Sequence, residues 1–344
     1  MSYDDQTERE RRGPAFAVAL LHALGRTPIW MFTALVMFAL ASVAALPWVD
    51  WFSSTLGHRY APGEVLSEMS EVFRFDHRGQ LSDLRAGTGQ TVALLGLLAM
   101  LFGVFAAGGW LQVFLERTEG HSFRRFLWGG SRYFWRFVRV WILTLVVLAV
   151  VSWVVLGWPW NTFVAGFLFG APGGETEVLT SEWTALALQW TQAGIHALLF
   201  ALTLVWADYT RTRLALQDTS SSLLAGLATV GLIVRYPVRV LRPMLLLFGI
   251  EVLVLWLAAK ATGGLDAGLA DGAGWRDVAL MLLVGQAALA WRAITRGARY
   301  HAAVQVSRDL VPPLSRPDPW ASRVGGPGGP QYPIDTTDEY GVSL

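Results

Sequence analysis

Six long, mostly apolar runs, uncharged over most of their length, punctuate the chain. They cover 29–47, 91–115, 139–157, 185–206, 240–258 and 277–294. A helix needs about 20 apolar residues to cross a hydrocarbon layer about 30 Å thick, so each run predicts a membrane span. The pattern changes between the runs. Residues 121–140, HSFRRFLWGGSRYFWRFVRV, alternate five arginines with seven aromatics. Residues 222–243, SLLAGLATVGLIVRYPVRVLRP, repeat the arrangement more weakly. Ser122 and Ser221 each stand 14 residues before an arginine, Arg136 and Arg235, that precedes an aromatic. Serine is a favoured helix N-cap, so both stretches predict a half-buried helix feeding the next span. The recurrence suggests an internal repeat in parallel orientation. Residues 64–75, EVLSEMSEVFRF, place Val65, Leu66, Met69, Val72 and Phe73 on one helical face and three glutamates on the other. That pattern predicts an interfacial helix. Residues 158–171 are apolar but broken by proline and glycine, which predicts a re-entrant or interfacial piece too short to span.

The fold class expected is all-α, a polytopic bundle of six transmembrane helices with amphipathic interfacial helices. Its divisions are an N-terminal segment 1–28, a six-span membrane domain 29–311 and a disordered tail 312–344 rich in proline and glycine. The first span resembles a signal peptide at ASVAAL, but its apolar run is longer than a usual signal core and predicts a retained anchor.

Composition agrees with the pattern. Hydrophobic residues make up 53% of the 344 and charged residues 15%, against about 25% in globular domains. Twenty-six of the 27 basic residues are arginine, and cysteine is absent, which removes disulfides and thiolate chemistry. Basic residues favour cytoplasmic loops. With both termini inside, 21 fall on the cytoplasmic side and six outside. This predicts a multi-pass membrane protein with cytoplasmic termini.

Placement decides how the arginine-aromatic stretch reads. In a soluble chain it would suggest nucleic acid. Between two spans it predicts contact with lipid headgroups, and no nucleic-acid partner is expected. The residues assigned to those contacts are Arg124, Arg125, Arg132, Arg136, Arg139, Arg235, Arg239 and Arg242.

No motif of metal hydrolysis, acyl transfer, phosphate binding or dinucleotide binding is present, so no catalytic residue, metal ligand or cofactor is assigned. His58 and His77 have carboxylates nearby in sequence but no metal-ligand spacing, so they read as solvated side chains outside the membrane. Three polar residues lie midway along spans: His196 in the fourth, Glu251 in the fifth and Gln286 in the sixth. A carboxylate there must face protein or water. They form a candidate mid-membrane cluster, either a proton-linked site around Glu251 and His196 or polar adhesive between helices. A haem or chlorin on His196 would need only a neutral imidazole in an apolar pocket, but one histidine predicts no cofactor. Ala99, Gly103 and Ala107 present a small-residue face for close helix contact, and Asp208 with Arg211 predicts an i, i+3 ion pair.

GGWLQVFLERTEGHSFRRFLWGGSRYFWRFVRV together with WADYTRTRLALQDTSSSLLAGLATVGLIVRYPVRVL resembles a group of uncharacterised bacterial six-helix inner-membrane proteins. The layout is more distantly similar to the membrane domain found beside some glycerophosphodiester phosphodiesterases, without room in any loop for their catalytic domain. The resemblance implies a bacterial inner membrane and no activity. The function expected is non-enzymatic: a scaffold or accessory subunit of a larger membrane complex, with membrane lipids and other membrane proteins as partners. The alternative is a small proton-linked transporter using Glu251 and His196.

Overall fold

The computed structural model describes residues 15–56, 75–116, 121–171, 179, 181–219, 221–269 and 275–311. Among them there are eight α-helices, one nine-residue π-helical segment and no strand. The helices are α1 (Ala15–Leu24), α2 (Thr27–Leu56), α3 (Arg78–Leu115), α4 (Ser122–Leu156), α5 (Glu182–Gln217), α6 (Ser222–Arg235), α7 (Pro237–Leu269) and α8 (Trp275–Leu310). Six of these, α2, α3, α4, α5, α7 and α8, are long and apolar enough to cross a membrane. The chain is an all-α, multi-pass membrane protein. The interfacial helix expected at 64–75 and the tail at 312–344 lie outside the described residues. Residue 311 falls in a separate unit from the bundle.

The helices are longer than a bilayer requires. α3 has 38 residues, so it runs about 57 Å, nearly twice the hydrocarbon thickness. α2, α3 and α7 carry their extra turns at the opposite end from α4, α5 and α8, whose excess lies where α3, α5 and α8 finish and α2, α4 and α7 begin. The arginine-aromatic stretch lies there, and so does the main core. Trp110, Leu111 and Phe114 of α3 meet Phe126 and Phe137 of α4, Leu214 of α5, and Tyr300 and Val304 of α8. The apolar windows differ: only 11% to 33% of their residues are buried. Between spans surrounded by lipid there is no hydrophobic driving force, since tails are as apolar as leucine. Beyond the bilayer, aromatic side chains gain from leaving water, and there the helices pack closely.

Two glycine pairs bring α3 and α4 together. A Cβ placed on Gly108 would lie 2.7 Å from the carbonyl oxygen of Gly129, and one on Gly129 would lie 2.8 Å from that of Gly108. The backbones touch at Gly108, about 100° around the helix from the small-residue face expected from Ala99, Gly103 and Ala107. Gly103 instead accepts a hydrogen bond at its carbonyl from Arg296 of α8, at 2.8 Å. α8 touches α1, α2, α3, α5 and α7. Its last turn reaches back to α3, where Arg308 donates to the carbonyls of Phe114 and Leu115 at 3.2 and 2.9 Å. Those carbonyls have no partner within their own helix, so the guanidinium caps it.

Three boundaries differ from the sequence reading. Residues 15–24 form α1, which buries Ala19 and Ala23 against Leu247, Ile294, Ala298 and Ala302; this part of the N-terminal segment belongs to the bundle. The two repeat units also differ. The first is continuous with its span, as α4. The second breaks between α6 and α7 at Tyr236 (φ −132°, ψ 55°) because Pro237 disfavours helical backbone in the residue before it. Ser221 caps α6 by accepting from the Leu224 amide at 3.4 Å, whereas α4 is preceded by His121 in left-handed backbone, with no side-chain cap. Both units nevertheless pack back on the preceding span. α6 buries Ala225, Gly226 and Thr229, and Trp206 of α5 donates to the Gly226 carbonyl at 2.9 Å. Leu223, Leu224, Leu227 and Val234 of α6 stay exposed, a face suited to the acyl boundary. Residues Trp160–Leu168 continue α4 as the π-helical segment, closed by Gly170 at φ +68°. Trp160, Ala165 and Ala171 pack against Val155 and Leu188.

Candidate functional site

The buried charges of the described bundle form one chain across α5, α7 and α8. Glu251 of α7 pairs with Arg299 of α8. The Arg299 guanidinium also lies 3.5 Å from Asp208 of α5. Asp208 pairs in turn with Arg211 at 3.0 Å, as the i, i+3 spacing predicts, and Arg211 donates to the Tyr300 hydroxyl at 3.4 Å. The side chains of Asp208, Arg211, Glu251 and Arg299 are at most 10% exposed. Arg299 also stacks over the Phe248 ring, 4.1 Å from its centroid. Two acids and two arginines make the set neutral, which is what allows it to be buried. Arg292 approaches Glu251 at 3.9 Å from the rim, its own side chain 70% exposed. A neutral bond runs beside the network: the Tyr209 hydroxyl donates to the Val240 carbonyl at 3.0 Å, tying α5 to α7.

This is not the cluster expected from the sequence. No hydrogen bond joins His196, Glu251 and Gln286 among the described residues. Glu251 meets Arg299, a charged partner whose bonds outweigh those of a neutral imidazole or amide. Asp208, within reach of the same guanidinium, lies twelve residues beyond His196 on α5, about 18 Å along the axis. Gln286 lies thirteen residues before Arg299 on α8, about 20 Å away along that helix. Glu251 therefore sits toward the arginine-rich end, out of reach of both.

His196 belongs to a separate contact. Its Nε2 is 3.1 Å from the Ser152 hydroxyl of α4, and one turn earlier Gln192 donates to the Val155 carbonyl at 2.9 Å. The two contacts join α4 and α5 as polar adhesive. The nitrogen that a haem iron would need is the one facing Ser152. His196→Ala should lower stability by about 0.6 kcal/mol, the average for such intramembrane bonds, as read from thermal unfolding in detergent.

No family model, curated protein or solved structure matches the chain. The geometry alone must carry the functional reading.

The arginines assigned to headgroups divide into two sets. Arg125 pairs with Glu116 at 3.4 Å. Arg136 pairs with Asp218, and Arg132 approaches the same carboxylate at 3.8 Å while lying over the Trp128 ring, 4.9 Å from its centroid. These three tie α4 to neighbouring parts of the protein. Asp218, at φ 45° just past the end of α5, holds two of them. Arg124, Arg139, Arg235, Arg239 and Arg242 are exposed and make no ion pair among the described residues. Sequence reasoning misses Arg299, because the count of basic residues places it with the cytoplasmic positive charge after the last span, and Tyr300, because a neutral phenol beyond a span gives no local signal. A signal was present. In WRAITRGARYHAAV, Arg292, Arg296 and Arg299 recur at helical spacing among alanines and a glycine, residues small enough to let neighbouring helices close over an arginine.

Proposed function

We propose that this chain is a non-enzymatic scaffold or accessory subunit of a larger membrane assembly, in a bacterial inner membrane with both termini cytoplasmic. The observation that supports it most is the pairing of Glu251. Glu251, an acid midway along its apolar run, is held in a neutral set with Arg299, Asp208 and Arg211, a device that fixes three helices against one another. The outward-facing side chains of the span windows leave surface for neighbouring membrane proteins as well as for lipid. The resemblance noted above supports the choice of membrane, and the excess of arginine at one end supports the orientation. The transporter alternative loses the juxtaposition of Glu251 and His196 on which it rested.

The deciding experiment is extraction from the native membrane in mild detergent, followed by native mass measurement and identification of every co-migrating chain. A stoichiometric membrane partner is the expected result. A lone 37.8 kDa chain, or a homo-oligomer of it, would overturn the proposal.

A further inference from the structure

A cavity of about 540 Å³ opens at the arginine-rich end, between α1, α7 and α8. Its polar lining is Arg239, Arg242 and Asp309; its apolar lining includes Phe16, Leu246 and Val306. Neither arginine has an ion-pair partner among the described residues, in contrast to Arg125, Arg132, Arg136, Arg211 and Arg299. Arg239 and Arg242 stand three residues apart on one face of α7, and Leu246 follows four residues later on the same face. From Arg239 to Leu246 the helix rises about 10 Å, so the lining passes from cationic to apolar in the direction that leads into the membrane.

We propose that this cavity is a specific site for one anionic glycerophospholipid. Its phosphodiester sits between Arg239 and Arg242, and an acyl chain lies along Phe16, Leu246 and Val306. The size falls within the range of small-ligand pockets and exceeds what a phosphate ion alone would fill. Arginine forks suit phosphate oxygens, and two unpaired guanidiniums at headgroup depth can supply charge-assisted bonds. The charges of the lining select the headgroup. Two arginines and Asp309 sum to one positive charge, which a single phosphodiester neutralises. Asp309 can accept hydrogen bonds from headgroup hydroxyls or from an ammonium, but only a headgroup without an ammonium leaves the site neutral. The lipid is therefore of the phosphatidylglycerol kind rather than the phosphatidylethanolamine kind. The inference requires the spans to lie in a bilayer, and it holds whether or not the larger assembly exists.

The test is native mass spectrometry of the delipidated full chain, titrated separately with phosphatidylglycerol, phosphatidylethanolamine and inorganic phosphate. The expected result is a single saturable phosphatidylglycerol adduct, weakened about tenfold or more by Arg239→Gln with Arg242→Gln. Arg276→Gln, which removes an exposed arginine in the first turn of α8, at the other end of that helix from the cavity, should leave the adduct unchanged. Equal retention of phosphatidylglycerol and phosphatidylethanolamine would overturn the proposal, as would equal retention by the double variant and the native chain. Inorganic phosphate competing at the same affinity would overturn it too, by making this a site for a soluble anion. A failure of the assembly proposal would show as a missing partner and would leave these adducts untouched.

Discussion

Arg299→Leu will cost the bundle about 3–5 kcal/mol, measured by reversible unfolding in mixed micelles. The substitution removes the group that faces both Glu251 and Asp208 and leaves two acids for one arginine in a nearly closed interior. A buried charge without its partner keeps its desolvation cost and loses its compensation. The size of the side chain is not the reason, because leucine fills much of the same space over Phe248. Two companions separate the explanations. Arg292→Leu removes an arginine that also reaches Glu251, but from an exposed position; it should cost less than about 1 kcal/mol. The double variant Glu251→Leu with Arg299→Leu deletes a balanced pair and leaves Asp208 with Arg211. It should be more stable than Arg299→Leu alone, although it changes more atoms. An Arg299→Leu protein within about 1 kcal/mol of the native chain would show that the network does not hold the helices together.

The second large effect is steric. Gly129→Val should destabilise by about 1–3 kcal/mol or more, the range for overpacking. The obstacles facing its new side chain are fixed by α3 itself: the Gln112 Cβ, whose place the backbone sets, and the Gly108 carbonyl oxygen, 2.8 Å from where the Cβ must go. A side chain can rotate away from a clash, but a helical carbonyl cannot, so α3 and α4 must separate. The layer of Trp110, Phe126 and Phe137 would open with them. Gly96 provides the control, since it lies on the same α3 with nothing within 4 Å of its Cβ position. Gly96→Ala should be neutral or stabilising by up to about 1 kcal/mol. Equal melting temperatures for Gly129→Val and the native chain would refute the close contact.

These contrasts show what the sequence could carry. The six spans were legible because an apolar run is a property of consecutive residues, and bilayer thickness sets its length independently of the neighbours. The Asp208–Arg211 pair was legible for the same reason, being local to one helix. The break at Tyr236 was also there to be read, in the proline that follows it. The partner of Glu251 was not. Position along a helix gives an approximate depth, whereas contact needs azimuth and the identity of the adjacent helix. His196, Glu251 and Gln286 share a position midway along their apolar runs, yet the partners of Glu251 lie about 18–20 Å along the helix axes from His196 and Gln286. Depth itself misled, because helices far longer than the bilayer carry arginines from beyond their apolar windows back toward a neighbour's interior. The glycine doublets at 108–109 and 129–130 were visible, but their pairing is a fact about two helices.

The hub position of α8 has a consequence for how the protein is made. A ribosome delivers α5 with Asp208 and α7 with Glu251 before Arg299 exists. Until α8 arrives, the insertion machinery holds a helix hairpin whose Glu251 lacks its arginine, and the end of α3 lacks the cap from Arg308. α3 and α4 can already meet through their glycines, but the contacts of α8 come after those of the other described helices and bring both arginines at once. Quality control that samples nascent membrane proteins would meet the chain unlocked through most of its synthesis.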